Sequence, residues 1–268
     1  MKQELNLEKI VRQVVEVSGL VSIYLKEEIG LLKRESIETK GIHNFVTYVD
    51  RTSEEKIVAA LNLILPQAGI IAEEMGDVKR QKRYNWVIDP LDGTTNYIHG
   101  LPLYSISIAL LDYDEVILGV VHEVNLNECF YAWKGSPAFL NGNRIMVSQS
   151  QKLNDSLIAT GFPYHDYSMM ESYLKAFGHL MRVSHGLRRL GSAAVDLAYV
   201  ACGRFDGFYE YGLNLWDVAA GQLIVKQAGG EISDFKGGKN YLLGKKMVAT
   251  NKLIHRELVN IIKDYFND

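Results

Sequence analysis

One stretch constrains the chain more than any other: Trp86-Val87-Ile88-Asp89-Pro90-Leu91-Asp92-Gly93-Thr94-Thr95-Asn96, an apolar run that ends abruptly in two carboxylates, a glycine and two hydroxyls. Trp86, Val87 and Ile88 suit a buried strand, and Pro90, with no N–H to give a ladder, is tolerated only where pairing stops. The strand is therefore expected to end at Asp89. Asp89 and Asp92 on one tight turn can converge on a point, and the Leu91 carbonyl between them adds a further oxygen. Hard divalent cations take such ligands, and Mg²⁺ in particular is held by one or two carboxylates with room left for water and phosphate. Gly93 lets backbone approach a ligand closely, and a helix starting there would aim the N–H groups of Gly93 and Thr94 at an anion. Asp, Pro, Gly and Thr are also ordinary turn and N-cap residues, so a functional reading requires carboxylates from elsewhere. Glu73 and Glu74 in IIAEEMG and Asp217 in LWDVAAG can supply them.

The rest of the chain reads as alternating helices and strands. Apolar positions from Asn6 to about Glu28 recur at helical spacing, and Ser36 to Asp50 reads as a loop or hairpin. Thr52 is placed to cap a helix with Glu55 in capping-box register, and that helix stops before Pro66. Ala68 to Ala72 is a short strand that delivers Glu73, and residues 77 to 84 form a solvated loop. After the central turn, Tyr104 to Leu111, Val116 to Val124, Phe130 to Trp133, Ala138 to Leu140 and Ile145 to Val147 form an antiparallel meander with an Asn141-Gly142 turn. The second half carries strands at 157 to 160, 205 to 211, 231 to 234 and 247 to 249. Its helices span about 169 to 182, a small-residue segment capped by Ser192 and ended by Gly203, 216 to 227 and 255 to 266. This mixture argues for an α/β or α+β layered fold.

At 268 residues and 47% apolar composition the chain can bury a sizeable core, and with no linker or internal repeat it reads as a single domain over 1–268. A formal net charge of −3 offers no broad positive field for nucleic acid or an anionic membrane. Cys129 and Cys202 are the only cysteines and read as buried free thiols. The amino terminus lacks the apolar core of a secretory signal, and no run approaches the ~18 apolar residues of a membrane span. A cytoplasmic enzyme is expected. His43, His99, His122, His165, His179, His185 and His255 show no metal-ligand spacing.

Taken together, AEE at 72 to 74, DPLDGTTN at 89 to 96 and WDVAAG at 216 to 221 resemble the inositol monophosphatase family of magnesium-dependent, lithium-sensitive phosphatases. The order and separation of the blocks fit, and the likeness covers nearly the whole chain. GFPY at 161 to 164 and LRRLGSAAVDLAYVACGRFDGFYE at 187 to 210 look like its bacterial branch. The resemblance implies a five-layered αβαβα sandwich and a homodimer. It implies a first Mg²⁺ on Glu73, Asp89 and the Leu91 carbonyl, with Asp89 bridging to a second held by Asp92 and Asp217. A third, weaker ion is implied near Glu73, so two to three ions in all. It also implies a nucleophilic water oriented by Thr94, whose hydroxyl is held by Asp50. Gly93 and Thr94 would bind the phosphate, Ala193 and Glu210 the alcohol, and Lys40 would lie in a mobile loop near the third ion. That loop departs from the family pattern, with Asn44 standing where an acidic residue is common and with a spacing to Asp50 one residue shorter than in some members.

The expectation is a phosphomonoesterase acting on a small phosphorylated alcohol, myo-inositol 1-phosphate first. Relatives of the same fold act instead on fructose 1,6-bisphosphate, NADP, histidinol phosphate or adenosine 3′,5′-bisphosphate. Some bacterial relatives bind transcription machinery, so a non-catalytic interaction module is the alternative from a different class.

Overall fold

The computed structural model describes residues 5–31, 38–41, 44–75, 80–163 and 166–266; the side chains at 39–41 and 44–45 lie outside that description. Residues 77–79 of the expected solvated loop, Tyr164 of GFPY, and His43 and His165 fall outside it as well. Helix α1 (Leu7–Glu28) starts where the Asn6 side chain accepts the Lys9 N–H, and the expected stripe of Ile10, Val11, Val14, Val21 and Leu25 is buried. An antiparallel hairpin of β1 (Glu38–Gly41) and β2 (Asn44–Val46) leads into helix α2 (Tyr48–Ile64).

This helix begins a turn earlier than Thr52. Its cap is Thr47, whose hydroxyl accepts the Val49 N–H, while Asp50 accepts the Thr47 N–H at 2.8 Å and hydroxyl at 2.6 Å. Two capping boxes compete in sequence, Thr47 with Asp50 and Thr52 with Glu55. The first prevails because Val49, Asp50, Ser53 and Glu54 are buried on the inner face of α2.

A seven-stranded sheet runs in the order β3 (Gly69–Ala72), β4 (Tyr84–Asp92), β5 (Ser105–Asp112), β6 (Glu115–Glu123), β7 (Glu128–Trp133), β8 (Ala138–Leu140), β9 (Asn143–Ile145). Only β3 against β4 is parallel; the remaining pairs form the expected meander, its last strand starting earlier than Ile145. Strand β4 does not stop at Asp89. It pairs with β5 through Asp89↔Ser107, breaks register, and pairs again at Asp92↔Ser105, so Pro90 and Leu91 occupy a bulge. The missing N–H of Pro90 is accommodated by this break, and pairing resumes beyond it.

Short helix α3 (Thr94–Ile98) follows, capped by Gly93 at φ +100°. A five-stranded sheet takes the order β11 (Gly186–Arg188), β10 (Leu157–Thr160), β12 (Gly207–Tyr211), β14 (Lys246–Thr250), β13 (Glu231–Ser233). Helices α4 (Met170–Val183), α5 (Ala193–Ala201), α6 (Leu215–Gln227) and α7 (His255–Tyr265) complete the described set.

Three apolar clusters define five layers. Helices α1 and α2 pack on the outer face of the larger sheet, with Val11, Leu25, Ile57 and Trp86 fully buried between them. Helices α5 and α6 lie between the two sheets, and α4 and α7 cover the smaller sheet around Tyr209, Leu258 and Ile262. This is the αβαβα sandwich. The middle layer is close: a Cβ at Gly119 on β6 would sit 2.7 Å from the Ala220 carbonyl oxygen, and one at Gly221 would sit 2.6 Å from Leu197 Cβ. Cys129 and Cys202 are free, the first buried and the second half-buried. Among the described residues no helix is long and apolar enough to cross a membrane.

Candidate active site

The bulge in β4 decides how the carboxylates are presented. In a regular strand residues three apart face opposite sides of the sheet. Asp89 and Asp92 pair with Ser107 and Ser105, which are two apart, so the extra residue in the bulge returns both aspartates to one face. Asp89 is buried and its Oδ1 accepts the Leu91 N–H at 3.0 Å, which sets the turn between them. Asp92 is anchored from the middle layer: its Oδ2 accepts the Ser192 hydroxyl and the Ala194 N–H, each at 2.7 Å, at the N-terminus of α5. Asp217 sits in the first turn of α6, where its Oδ2 accepts the Asn214 N–H at 2.7 Å.

Glu73 follows β3, and its backbone N–H is bonded to the Ile88 carbonyl of the neighbouring strand. The turn after it is held by Glu54 of α2, whose carboxylate accepts the N–H groups of Glu74 at 2.9 Å and Met75 at 2.7 Å. Thr94 Oγ1 stands 3.0 Å from both Asp50 Oδ1 and the Leu91 carbonyl oxygen. The Asp50 carboxylate thus serves the α2 cap with one oxygen and Thr94 with the other.

One cleft of about 180 Å³ is lined by Glu73, Asp89, Asp92 and Asp217, by Leu91, Gly93 and Thr94, and by Ala193, Glu210, Arg189 and Asp196. Of the residues expected from sequence, Asp50 lies behind Thr94, and Lys40 is on β1 with its side chain outside the description. Glu54 and Asp196 carry no local motif, and Ser192 is expected from sequence only as the cap of α5; the bonds of Glu54 and Ser192 at the site join distant elements. Arg189, which also lines the cleft, stacks on Phe162 with its guanidinium 4.9 Å from the ring centroid.

Burial and the neighbouring Glu73, Asp92 and Asp217 push the Asp89 carboxyl well above the usual range. Burial raises Asp92 to about 6 against the pull of Ser192, the Ala194 N–H and Arg189. Burial and Asp92 raise Asp217 well above its ordinary value, while burial lifts Glu210 to about 8 despite Arg189. Among the described residues no three carboxylates, imidazoles or thiolates close into a cage by themselves; the acids share the cleft, each of the three aspartates with one oxygen taken by a protein donor. An all-oxygen, mutually repelling donor set of this kind fits a hard divalent cation.

The model of the inositol monophosphatase family matches residues 6–265. The chain belongs to that family. It is 39% identical over 240 residues to an inositol-1-monophosphatase of Mesorhizobium japonicum, covering 89% of this chain and 90% of that one. It is 43% identical over 230 residues to the Nus factor SuhB of Escherichia coli K12, covering 85% and 86%. Among solved structures, the extragenic suppressor protein suhB of Bartonella henselae superposes with a TM-score of 0.91 at 36% identity, over 95% of this chain and 98% of that one. These matches agree with the sequence-based assignment of family and sandwich fold, and they support a phosphatase hydrolase.

Proposed function

We propose that this family member is a Mg²⁺-dependent phosphomonoesterase acting on small phosphorylated alcohols, with myo-inositol 1-phosphate the preferred substrate. The observation that carries this reading is the convergence of Glu73, Asp89, Asp92 and Asp217 on the cleft that Thr94 and Gly93 also line. Glu73, Asp89 and the Leu91 carbonyl would hold one ion, and Asp89, Asp92 and Asp217 a second, with a weaker third beside Glu73. Bound there, Mg²⁺ supplies neutralisation of the phosphoryl oxygens and a lowered pKa for water.

The chain's own groups do the rest. Thr94 donates its proton toward Asp50, which leaves its oxygen lone pairs to accept from the attacking water and aim it. Backbone N–H groups at Gly93 and Thr94 bind the phosphate, and the left-handed φ of +100° at Gly93 admits the close approach. A Cβ there would also crowd the Leu103 and Gly191 carbonyls. Ala193 and Glu210 line the side left for the alcohol.

The test is phosphate release from myo-inositol 1-phosphate, fructose 1,6-bisphosphate, NADP, histidinol phosphate and adenosine 3′,5′-bisphosphate, with Mg²⁺, with EDTA and with Mg²⁺ plus Li⁺. The expected result is Mg²⁺-dependent, Li⁺-inhibited release with the highest kcat/KM on the inositol ester. Absence of release from every ester would overturn the reading. A second role is suggested by the relatives named Nus factor: a protein surface that engages transcription machinery. A complex that survives Asp92→Asn would establish it apart from catalysis. The homodimer belongs to the same proposal, and sedimentation at micromolar concentration reads it directly.

A further inference from the structure

Strand β5 carries two hydroxyls where its alternation calls for apolar side chains. Ile106, Ile108 and Leu110 belong to the cluster under α1 and α2, while Ala109 and Leu111 of the opposite face belong to the cluster around α5 and α6. On that second face the remaining positions are Ser107 and Ser105, 1% and 0% exposed. They stand opposite Asp89 and Asp92 in the ladder between β4 and β5, so the two serines and the two aspartates share one face. Neither serine lines the cleft.

Each hydroxyl is tied to an element that places an acid. Ser105 Oγ lies 3.1 Å from Ser192 Oγ. Ser192 has a single hydroxyl proton, and it goes to Asp92 Oδ2, which takes the Ala194 N–H as well. Ser105 is therefore the donor within the serine pair, and a chain of bonds runs from Ser105 to Ser192 to Asp92. The remaining lone pair of Ser192 accepts the Val195 N–H at 3.3 Å. On the other side, Ser107 Oγ donates to the Trp216 carbonyl oxygen at 3.0 Å, one residue before Asp217 in the first turn of α6. Burying a hydroxyl carries a desolvation cost that only a made hydrogen bond offsets. We propose that Ser105 and Ser107 are positioning residues for the ion held by Asp92 and Asp217: the first aims Asp92 through Ser192, and the second fixes the turn of α6 that presents Asp217. This rests on the metal-dependent phosphatase reading and adds to it which buried groups set the strength of that ion's binding.

The experiment measures Mg²⁺ binding to the EDTA-treated, dialysed full chain by titration calorimetry, beside the Mg²⁺ dependence of phosphate release from myo-inositol 1-phosphate. Ser105→Ala and Ser107→Ala are each expected to weaken Mg²⁺ binding about fivefold, the scale of one lost hydrogen bond. Half-saturating Mg²⁺ for turnover should rise in step, with kcat at excess Mg²⁺ and KM for the ester near wild type. Because Ser105 acts through Ser192, Ser105→Ala is expected to add nothing in a Ser192→Ala background. Leu111→Val, on the same face of β5, is the packing control: it should lower the thermal midpoint and leave Mg²⁺ affinity at the wild-type value. Unchanged Mg²⁺ affinity in both serine variants, or an equal loss in Leu111→Val, would overturn the proposal while leaving the phosphatase reading intact. A full further loss from Ser105→Ala in the Ser192→Ala background would overturn the chain to Asp92. Wild type that neither binds Mg²⁺ nor releases phosphate would remove the phosphatase reading, and the proposal with it.

Discussion

Asp92 is tied on one side to the N-terminus of α5 and faces the cleft on the other, so its two oxygens have separate tasks. Asp92→Asn keeps the shape and one acceptor but removes the charge. It should lower phosphate release at least ~100-fold, the scale of losing a preorganised charge in an active site, while the thermal midpoint of the metal-free protein stays level or rises. The acids also predict a pH response of the EDTA-treated protein. Asp92 titrates at about 6 in the fold against 3.8 ordinarily, and Glu210 at about 8 against 4.5. Across that window the folded chain holds more protons than the unfolded chain, so stability is present at low pH and is lost as pH rises. Asp89, Asp196 and Asp217 shift in the same direction. The metal-free protein should therefore melt higher near pH ~5 than near pH ~8, and Mg²⁺ should restore the difference. A midpoint that climbs with pH in EDTA would contradict this account. The aspartates that line the cleft were legible in sequence because DPLDGTTN and WDVAAG are local blocks. The site roles of Ser192 and Glu54 were not, since their bonds to Asp92 and to the turn after Glu73 join residues far apart in the chain.

Elements set the site through caps and one bulge. The Thr47–Asp50 box starts α2 and simultaneously fixes the carboxylate that holds Thr94. Thr47→Ala should cost about 1 kcal/mol of stability, as for other lost N-caps, and should lower kcat more than it raises KM. Urea unfolding and steady-state kinetics read the two effects separately. Sequence alone could not choose between this box and the one at Thr52, since both patterns are good and only burial of Ser53 and Glu54 separates them. Likewise the alternation of β4 identified a strand but concealed its bulge. The pattern of apolar residues gives no sign that pairing resumes at Asp92, which depends on the partner strand β5. Glu54→Gln tests the tether after Glu73: weaker Mg²⁺ binding, read as a raised half-saturating concentration with near-normal kcat at excess Mg²⁺, is the expected result.

At the scale of the molecule, two sheets press α5 and α6 between them, and the cleft opens where β4, α5, α6 and β12 meet. That geometry needs close contacts in the middle layer. Gly119→Ala would drive a Cβ into the Ala220 backbone and should destabilise the protein by about 1–3 kcal/mol, the usual cost of overpacking a core. A denaturant midpoint unchanged in that variant would refute the packing argument. Periodicity alone supported only a layered α/β chain; the five layers followed from the family resemblance, since which sheet faces which helix is set by contacts between distant segments. The central claim is that the acids of this cleft bind Mg²⁺ to hydrolyse a phosphate ester. Its most direct test is the initial rate of phosphate release from myo-inositol 1-phosphate as a function of Mg²⁺, in wild type and in Asp92→Asn. The account expects saturable Mg²⁺ activation in wild type and its near-complete loss in the variant; release that persists in EDTA, or that the variant retains in full, would contradict it.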